Sequence, residues 1–204
     1  MLKDKVAIVT GATGALGRVV TRKLAQNEAK IVALYRMEEA LDELHLFLGD
    51  LGSHVTGFEG DATVSQSVQG LVKRAIDEHG HVDILLNIVG AYSGGKILAD
   101  TDEELWDKMM AVNLKSVFLC SKAVLPHMME RRYGKIVNIS AKTAVQRGSR
   151  ARSGAYAVSK AGIVTLTEAL AEETKDHGVQ VNCILPSVID TEANRKMFPK
   201  ADFT

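Results

Sequence analysis

The chain alternates short β-branched runs with longer segments of helical periodicity, and this alternation limits its possible folds more than any other feature. Strands in that setting pair in parallel, because each helix carries the chain back to the starting edge of the sheet. Apolar runs predict strands at residues 6–10, 30–34, 54–58, 82–87, 135–140 and 179–185. The spacing also predicts a helix over 16–26 and others that begin near Val64, Asp102 and Ala155. We therefore expect an α/β fold, a doubly wound parallel sheet with helices on both faces in three α/β/α layers.

Composition favours one globular domain over residues 1–204, since 46% of the residues are hydrophobic and only three are proline. The 25 basic and 25 acidic residues balance, so no overall field favours nucleic acid or an anionic membrane as a partner. The first residues lead into a strand without a long apolar stretch, which predicts a cytoplasmic protein. Cys120 and Cys183 lie among apolar neighbours, which predicts buried free thiols. His79 and His81 are expected to lie at a helix end, and no metal site is predicted.

A glycine-rich turn from Thr10 to Gly17 follows the first predicted strand and opens the first predicted helix. Gly11 can adopt backbone angles that other residues avoid, and Gly17 lets helix and strand approach closely. Amide groups at that end of a helix favour a pyrophosphate. The turn therefore predicts a dinucleotide site in a Rossmann-type sheet. The contacting residues are then Gly11, Thr13, Gly14, Ala15, Leu16 and Gly17.

Tyr156 and Lys160 are four residues apart in the last long predicted helix, so they share one helical face. An ammonium near a phenol lowers the pKa of the phenol and makes it a usable proton donor near neutral pH. The same spacing is common in surface packing, and its place downstream of a dinucleotide site is what favours catalysis. The two motifs together predict an enzyme that moves a hydride and a proton.

The end of the second predicted strand bears on the choice of cofactor. An acidic residue there would bind the ribose 2′-hydroxyl of NAD, but the segment reads Ala33-Leu34-Tyr35-Arg36. The Arg36 guanidinium could instead bind a 2′-phosphate, so NADP(H) is favoured and NAD(H) is possible. Glu38 and Glu39 are expected to begin a helix.

These motifs, in this order, resemble the short-chain dehydrogenase/reductase family over essentially the whole chain. The resemblance is carried by the glycine-rich turn, Asp61-Ala62, Asn87 to Gly90, Asn113, and Tyr156 with Lys160. It implies that Tyr156 is the acid/base, and that Lys160 binds the nicotinamide ribose and lowers the pKa of the tyrosine. It also implies that Asn113 supports a water-linked proton relay.

Family resemblance further implies the cofactor-binding positions. Asp61 would bind the adenine edge beside Ala62, although an aspartate there could also cap a turn. Asn87 and Gly90 would flank the cofactor where the fourth strand ends. The residues implied at the nicotinamide end are Pro186, Ile189 and Thr191.

The catalytic serine of the family has no plain counterpart here. Counted from the fifth predicted strand, its position falls on Ala141, with Ser140 one residue earlier. Thr143 has the family's common spacing before Tyr156. Ser140 is our prediction, with Thr143 or no hydroxyl as the alternatives.

The missing serine suggests a narrower resemblance, to dihydropteridine reductases and bacterial proteins like them. The stretches from Val89 to Gly95 and from Leu185 to Phe203 are similar to theirs. A quinonoid pterin is already activated toward hydride, so it needs a hydroxyl clamp less than a ketone does. This resemblance implies reduction of a carbonyl or pterin-like imine, with a 3-oxoacyl thioester or ketone reductase as the alternative. Dihydropteridine reductases usually prefer NADH, which conflicts with the expectation from Arg36.

Four expectations remain. Residues 187–204 would begin a lid over a small-molecule substrate, and the chain ends short of the family's usual final helix and strand. In the family that the chain resembles, the long helical stretch 102–130 and the helix after it commonly build dimers and tetramers, so the resemblance implies a homodimer or homotetramer. A basic loop with Arg147, Arg150 and Arg152 is interpreted as solvated rather than as a ligand clamp. A cofactor sensor or a scaffold would not need Tyr156, Lys160 and Asn113 together, so both are weaker hypotheses than an enzyme.

Overall fold

The computed structural model describes residues 2–146, 150–199, 201 and 203, and its centre is a sheet of six parallel strands. The strands are β1 (Val6–Thr10), β2 (Lys30–Tyr35), β3 (Val55–Glu59), β4 (Ile84–Asn87), β5 (Gly134–Ile139) and β6 (Val179–Ile184). Their order is β3-β2-β1-β4-β5-β6, and every neighbouring pair is parallel. The predicted doubly wound Rossmann sheet is thus confirmed, with strand ends that differ by one or two residues.

Helices connect the strands. They are α1 (Ala15–Gln26), α2 (Glu38–Leu48), α3 (Ser65–His79), α4 (Glu103–Met109), α5 (Ser116–Glu130), α6 (Gly154–Thr174) and α7 (Glu192–Met197). The expected helix start at Glu38 and Glu39 is confirmed. The start expected near Asp102 is confirmed too, because the Asp102 carboxylate accepts a hydrogen bond from the Leu105 amide at 2.7 Å and caps α4.

The strands are buried on both faces, as crossover helices require. On one face Ile8 and Val32 pack into a core that reaches α3 and α5 through Leu71 and Val124. On the other face a second core contains Ala7, Val9 and Ile31 from the strands and Leu41 and Leu44 from α2. Alternate residues of β1 therefore enter different cores, and the three α/β/α layers follow from that alternation.

The direction in which strands are added reverses between β1 and β4. From β1 the chain adds β2 and β3 on one side of the sheet, and from β4 it adds β5 and β6 on the other. The two chains leaving the carboxyl ends of β1 and β4 turn to opposite faces and leave a crevice between them. Thr10 ends β1 beside Asn87 at the end of β4. Both predicted cofactor segments, the glycine turn and Asn87 to Gly90, begin at this crevice.

Charged residues cluster around Asp83 at the amino-terminal ends of the central strands, opposite the crevice. The Asp83 carboxylate is fully buried and lies 3.2 Å from Arg131 and 3.0 Å from the His81 ring. It also accepts a hydrogen bond from the Val6 amide at 3.1 Å. A buried carboxylate with several donors holds the strands β1 and β4 and helix α5 together where they enter the sheet.

The stretch Glu103–Glu130 is continuous helix, but its middle, Met110–Lys115, is a π-helical turn. Among the described residues it is the one stretch long and apolar enough to cross a membrane by length and composition. Its residues Leu119, Val124 and Met128 belong to the core beneath the sheet. That packing is typical of the central helix of a globular domain.

Other expectations had mixed outcomes. Cys120 is a buried free thiol, as predicted, whereas Cys183, near the end of the edge strand β6, is only partly buried. His79 ends α3, and Gly80 follows it in the left-handed conformation typical of a helix C-cap. Within the described residues no group of three metal-ligating side chains converges.

Candidate active site

The glycine turn has the geometry that a close approach of strand and helix requires. Gly11 has φ of 69°, a left-handed angle that favours glycine. A Cβ on Gly17 would lie 1.9 Å from the carbonyl oxygen of Gly11. Gly14 precedes α1 with no side-chain cap, and the first turn of α1 contains no acidic residue. The amide end of α1 is therefore free to bind an anion such as a pyrophosphate.

A cleft of about 770 Å³ opens at this turn and runs across the carboxyl ends of the central strands. It brings together most of the predicted cofactor and catalytic residues. They are Gly11, Thr13, Gly14, Ala15, Leu16, Gly17, Gly90, Ser140, Tyr156, Lys160, Pro186, Ile189 and Thr191. One continuous cleft therefore joins the dinucleotide turn to the predicted proton donor.

Tyr156 and Lys160 lie on the first turns of α6, with Tyr156 partly buried and Lys160 buried. The Lys160 ammonium donates a hydrogen bond to the Ile139 carbonyl at 2.8 Å. Burial lowers the pKa of Lys160 to about 8. Burial, and then the neighbouring Tyr92, raise the pKa of Tyr156 above its ordinary value. The expected lowering of the tyrosine pKa by Lys160 is thus not what this arrangement gives, because the ammonium is held by the end of β5.

Asn113 is fully buried in the π-helical turn and binds the chain that leaves β4. Its side-chain oxygen accepts from the Ala91 amide at 2.9 Å, and its side-chain nitrogen donates to the Ala91 carbonyl at 3.1 Å. The same nitrogen donates to the Ser159 hydroxyl at 3.0 Å. A Cβ on Gly90 would lie 3.0 Å from the Asn113 oxygen and 3.2 Å from the Lys160 nitrogen. Asn113 and Lys160 therefore meet directly behind the floor of the cleft.

The two candidate hydroxyls differ in what they bind. Ser140 is buried, and its hydroxyl donates to the Lys160 carbonyl at 2.7 Å. Thr143, in the 3₁₀ turn Lys142–Ala144, also lines the cleft. Its hydroxyl oxygen is buried without a hydrogen-bond partner among the described residues. The Ser140 hydroxyl therefore helps to hold α6 against β5. The Thr143 hydroxyl would break no hydrogen bond to the described residues if it bound a substrate.

Arg36 and Asp61 follow β2 and β3 at the same edge of the sheet and form an ion pair of 3.8 Å. The Asp61 carboxylate also accepts hydrogen bonds from the amide and hydroxyl of Thr63, at 2.8 and 2.7 Å. The Thr63 amide first, and Arg36 less strongly, hold the pKa of that carboxyl below its usual range. Asp61 thus caps a turn, which is one of the two roles predicted for it. It also lies beside Arg36, at the end of the sheet where the resemblance implies the adenosine half of the cofactor.

Two of the implied binding residues lie below the cleft surface. Ala62 is buried in the core with Leu34. Asn87 is buried and donates to the Asn138 side chain at 2.8 Å. Both residues shape the floor on which a cofactor would rest, and neither lines the open cleft.

The predicted lid segment forms the other wall of the cleft. Pro186 accepts a hydrogen bond from the Lys142 amide through its carbonyl, at 2.8 Å. The Thr191 hydroxyl accepts one from the Asn194 amide at 3.1 Å and begins α7. Thr191 therefore fixes the start of the short helix that leads to Phe198, another residue of the cleft wall.

Sequence interpretation missed an aromatic contact to the proton donor. Tyr92 meets Tyr156 edge to face at a centroid distance of 4.9 Å, and Phe198 packs in the same way on Tyr92 at 5.5 Å. The available signal was an aromatic residue inside the glycine-rich stretch that follows β4. Arg150 and Arg152 of the basic loop are exposed, as the solvated interpretation predicts, but both also donate to backbone carbonyls, a restraint that the sequence did not indicate. Arg147 lies outside the described residues.

A dinucleotide fits the residues present. Because Gly11, Gly17 and Gly90 have no Cβ, the segments that line the cleft pack closely against the chain behind them. The uncapped start of α1 supplies amide donors for phosphates, and Arg36 lies at the adenosine end. Lys160 reaches the opposite end, beside Tyr156. These residues would hold the two halves of a nicotinamide dinucleotide on either side of the β1–β4 crevice.

Comparison with known proteins agrees with this geometry. Residues 5–202 match the family model of the short chain dehydrogenases. The chain is 35% identical over 196 residues to the 3-oxoacyl-[acyl-carrier-protein] reductase FabG of Vibrio cholerae, covering 96% of this chain and 78% of the relative. It is 36% identical over 197 residues to dehydrogenase/reductase SDR family member 4 of Bos taurus, covering 97% and 70%.

Solved structures give the same result. A double mutant of a Serratia marcescens short-chain dehydrogenase/reductase superposes with a TM-score of 0.86 at 27% identity, covering 95% of this chain and 78% of that one. Members of the family use NAD(H) or NADP(H). The protein therefore belongs to the short-chain dehydrogenase/reductase family and is an NAD(P)-dependent oxidoreductase.

Proposed function

We propose that the protein reduces a carbonyl or an imine of a small molecule, with Tyr156 as the proton donor. The observation that carries this proposal is that Tyr156 and Lys160 lie in the same cleft as the glycine turn, with Asn113 directly behind them. When bound, the nicotinamide ring supplies the hydride. The protein must then supply the proton, and Tyr156, one helical turn before Lys160, is the phenol of the cleft that we assign to this role.

Both residues carry their protons near neutral pH in the free protein. Because burial and Tyr92 raise the pKa of Tyr156, the phenol keeps its proton until a substrate takes it. Lys160, with a pKa of about 8, is largely protonated at pH 7 and can donate to a ribose hydroxyl. Asn113 holds the loop after β4 through both polar atoms of its side chain, which keeps Gly90 and Ala91 in place beside Lys160.

A planar, already activated substrate such as a quinonoid pterin is supported by two features. The position of the family serine holds Ala141, so the cleft lacks the usual hydroxyl at that point. Rings of Tyr92 and Phe198 line the wall next to Tyr156. An aromatic wall favours a flat ring, and an activated imine needs less help from an added hydroxyl donor.

A 3-oxoacyl thioester or ketone is the alternative substrate, because the Vibrio cholerae relative carries that activity in its name. Such a substrate would need a hydroxyl donor for its carbonyl oxygen. Thr143 is the better candidate for that donor, since its hydroxyl has no described partner. Ser140 would first have to break its hydrogen bond to the Lys160 carbonyl.

NADP(H) is the favoured cofactor. No acid ends β2, and the exposed Arg36 guanidinium already binds a carboxylate across the adenosine end. A 2′-phosphate offers a stronger anion in the same place, and a guanidinium can bind it with two hydrogen bonds.

We also propose a homodimer or homotetramer in the cytoplasm. Phe118 on α5 and Val158 on α6 are large apolar side chains left exposed on neighbouring helices. Exposed apolar side chains on adjacent helices favour burial against a second copy of the chain.

The experiment that tests the function is oxidation of NADPH and NADH with a substrate panel, comparing the unmodified protein with Tyr156→Phe. The panel contains quinonoid dihydropterin, an acetoacetyl thioester, simple ketones and quinones. Tyr156→Phe should abolish turnover and leave nucleotide binding nearly intact. Full turnover by that variant would exclude Tyr156 as the donor, and nucleotide binding without any turnover would favour a cofactor sensor.

A further inference from the structure

Tyr92 reaches Tyr156 from a segment that contains no strand or α-helix, the chain between β4 and the 3₁₀ turn Leu98–Asp100. An aromatic ring on such a segment needs something to hold it. Tyr92 is 44% exposed, so core packing alone does not fix its position. The structure must therefore contain another restraint that keeps the ring against the proton donor.

Two glycines shape the segment around Tyr92. A Cβ on Gly94 would lie 2.2 Å from the Tyr92 hydroxyl oxygen, so only glycine leaves room for the ring to fold back over its own chain. Gly95 has φ of 98°, which other residues rarely adopt. This angle orients both the amide and the carbonyl of Gly95 toward the loop that precedes α6.

Arg152 completes the restraint from that second loop. Its side-chain Nε donates to the Gly95 carbonyl at 2.9 Å, and the Gly95 amide donates back to the Arg152 carbonyl at 2.7 Å. Arg152 itself has φ of 62°, an unfavourable left-handed angle for a residue with a side chain. We refer to this reciprocal pair of hydrogen bonds as the Gly95–Arg152 clasp.

The clasp joins the segment that carries Tyr92 to the loop that leads into α6 and Tyr156. Tyr92 is three residues before Gly95, and Tyr156 is four residues after Arg152. Ala151 and Ser153, on either side of Arg152, line the same cleft as both tyrosines. A strained angle kept at an exposed position is a cost that the fold must offset elsewhere, and such angles concentrate at functional sites.

We propose that Arg152 is a positioning residue, which through the Gly95–Arg152 clasp holds the Tyr92 ring against Tyr156 and so fixes the orientation and surroundings of the proton donor. This inference rests on the proposed role of Tyr156. It assigns the basic loop a task inside the cleft wall, one that neither cofactor nor substrate contact requires. Tyr92 then shields the phenol of Tyr156, because the contact replaces water on one side of it.

Arg132 provides a matched control. It too has a left-handed φ, of 53°, and its guanidinium donates to a backbone carbonyl, that of Asp176, at 2.8 Å. It lies between α5 and β5, at the edge of the sheet opposite the cleft. Arg132→Ala and Arg152→Ala thus remove the same kind of side-chain hydrogen bond and leave a residue with a Cβ at the same kind of left-handed backbone angle, at two different places.

The test compares Arg152→Ala, Arg132→Ala, Tyr92→Ala and the double variant Tyr92→Ala with Arg152→Ala. With the best substrate of the panel, Arg152→Ala should lose about tenfold in kcat/KM, a loss typical of a displaced catalytic group. Arg132→Ala should match the unmodified protein. The double variant should be no worse than Tyr92→Ala alone, because Arg152 acts through that ring.

A second readout needs no turnover. The pKa of Tyr156 is measured by near-ultraviolet absorbance titration, as the difference between each variant and the same variant with Tyr156→Phe. It should fall in Arg152→Ala and in Tyr92→Ala, since the phenol gains water, and stay unchanged in Arg132→Ala. Equal behaviour of Arg152→Ala and Arg132→Ala, or additive losses in the double variant, would overturn the proposal. If the panel shows no turnover, the proposed function fails while this titration still decides the clasp.

Discussion

Replacing Thr143 by valine should make the protein more stable and less active on a ketone, whereas replacing Ser140 by alanine should make it less stable and leave ketone turnover nearly intact. The two residues are both hydroxyl candidates for the cleft, but they differ in hydrogen bonding. A buried hydroxyl without a partner costs about 1–3 kcal/mol, and a methyl of the same shape removes that cost. A hydroxyl with a good partner contributes about 1 kcal/mol.

The magnitudes follow from those values. Thr143→Val should raise the free energy of unfolding by about 1 kcal/mol, which raises Tm by about 2–4 °C for a domain of this size. If Thr143 is the donor to a substrate oxygen, kcat/KM for a ketone or thioester should fall by about 10²-fold or more. Ser140→Ala should lower stability by about 1 kcal/mol through the lost hydrogen bond to Lys160.

The assay pairs urea unfolding with steady-state turnover on the same preparations. Thr143→Ser, which keeps a hydroxyl, is the matched control and should keep most of the activity. A pterin-like imine should be much less sensitive to Thr143→Val than a ketone. Full ketone turnover by Thr143→Val, together with its loss in Ser140→Ala, would refute this reasoning and identify Ser140 as the donor.

Three further predictions concern the cofactor end, the glycine turn and the pH dependence. Arg36→Asp should move cofactor preference from NADPH toward NADH. Arg36→Leu is the control, because it removes the guanidinium without placing a second carboxylate beside Asp61. An unchanged ratio of kcat/KM for NADPH to kcat/KM for NADH would contradict the role of Arg36 in binding a 2′-phosphate. Gly17→Ala should abolish nucleotide binding, measured by fluorescence titration, because the new Cβ would overlap the Gly11 carbonyl. Gly14→Ala is the control and should fold normally, since the nearest atom to its Cβ would lie 3.4 Å away. Burial lowers the pKa of His127, whose ring nitrogen accepts a hydrogen bond from the Val82 amide at 3.2 Å. The unfolded chain therefore binds the proton more readily than the folded one, and the free energy of unfolding should fall as the pH drops below the ordinary histidine pKa of about 6.5. Urea midpoints across that range should show a smaller pH slope in His127→Gln, and an identical slope would exclude His127 as the cause.

The positions of the strands and helices along the chain were predictable from sequence because they depend on local signals. β-branched runs at Val6–Thr10 and Lys30–Tyr35, with a glycine turn between them, specify strand and crossover without any tertiary information. The helix starts at Glu38 and near Asp102 followed from charge and capping rules. Each of these elements is marked by residues adjacent in sequence, so its position can be inferred without knowing which segment packs against it.

The catalytic details were less predictable, because they depend on contacts between distant segments. Asn113 binds the backbone of Ala91, 22 residues away, and no side-chain pattern marks that partner. Ser140 and Thr143 look alike in sequence, and only the Lys160 carbonyl distinguishes them. Tyr92 and Tyr156 are 64 residues apart in sequence, 156 minus 92. Their contact depends on the missing Cβ of Gly94 and on the left-handed backbone angles of Gly95 and Arg152.

The π-helical turn Met110–Lys115 has a consequence for how this helix tolerates length changes. A π-turn holds an extra residue inside a helix that continues on both sides. Deleting one residue there would restore regular α-helical spacing and keep the two flanking helical segments in register, but it would remove the widened turn that carries Asn113. Asn113 would then swing away from Ala91 although no residue of the cleft had been substituted. The number of residues between Glu103 and Glu130, and not only their identity, is therefore part of what this protein must conserve to work.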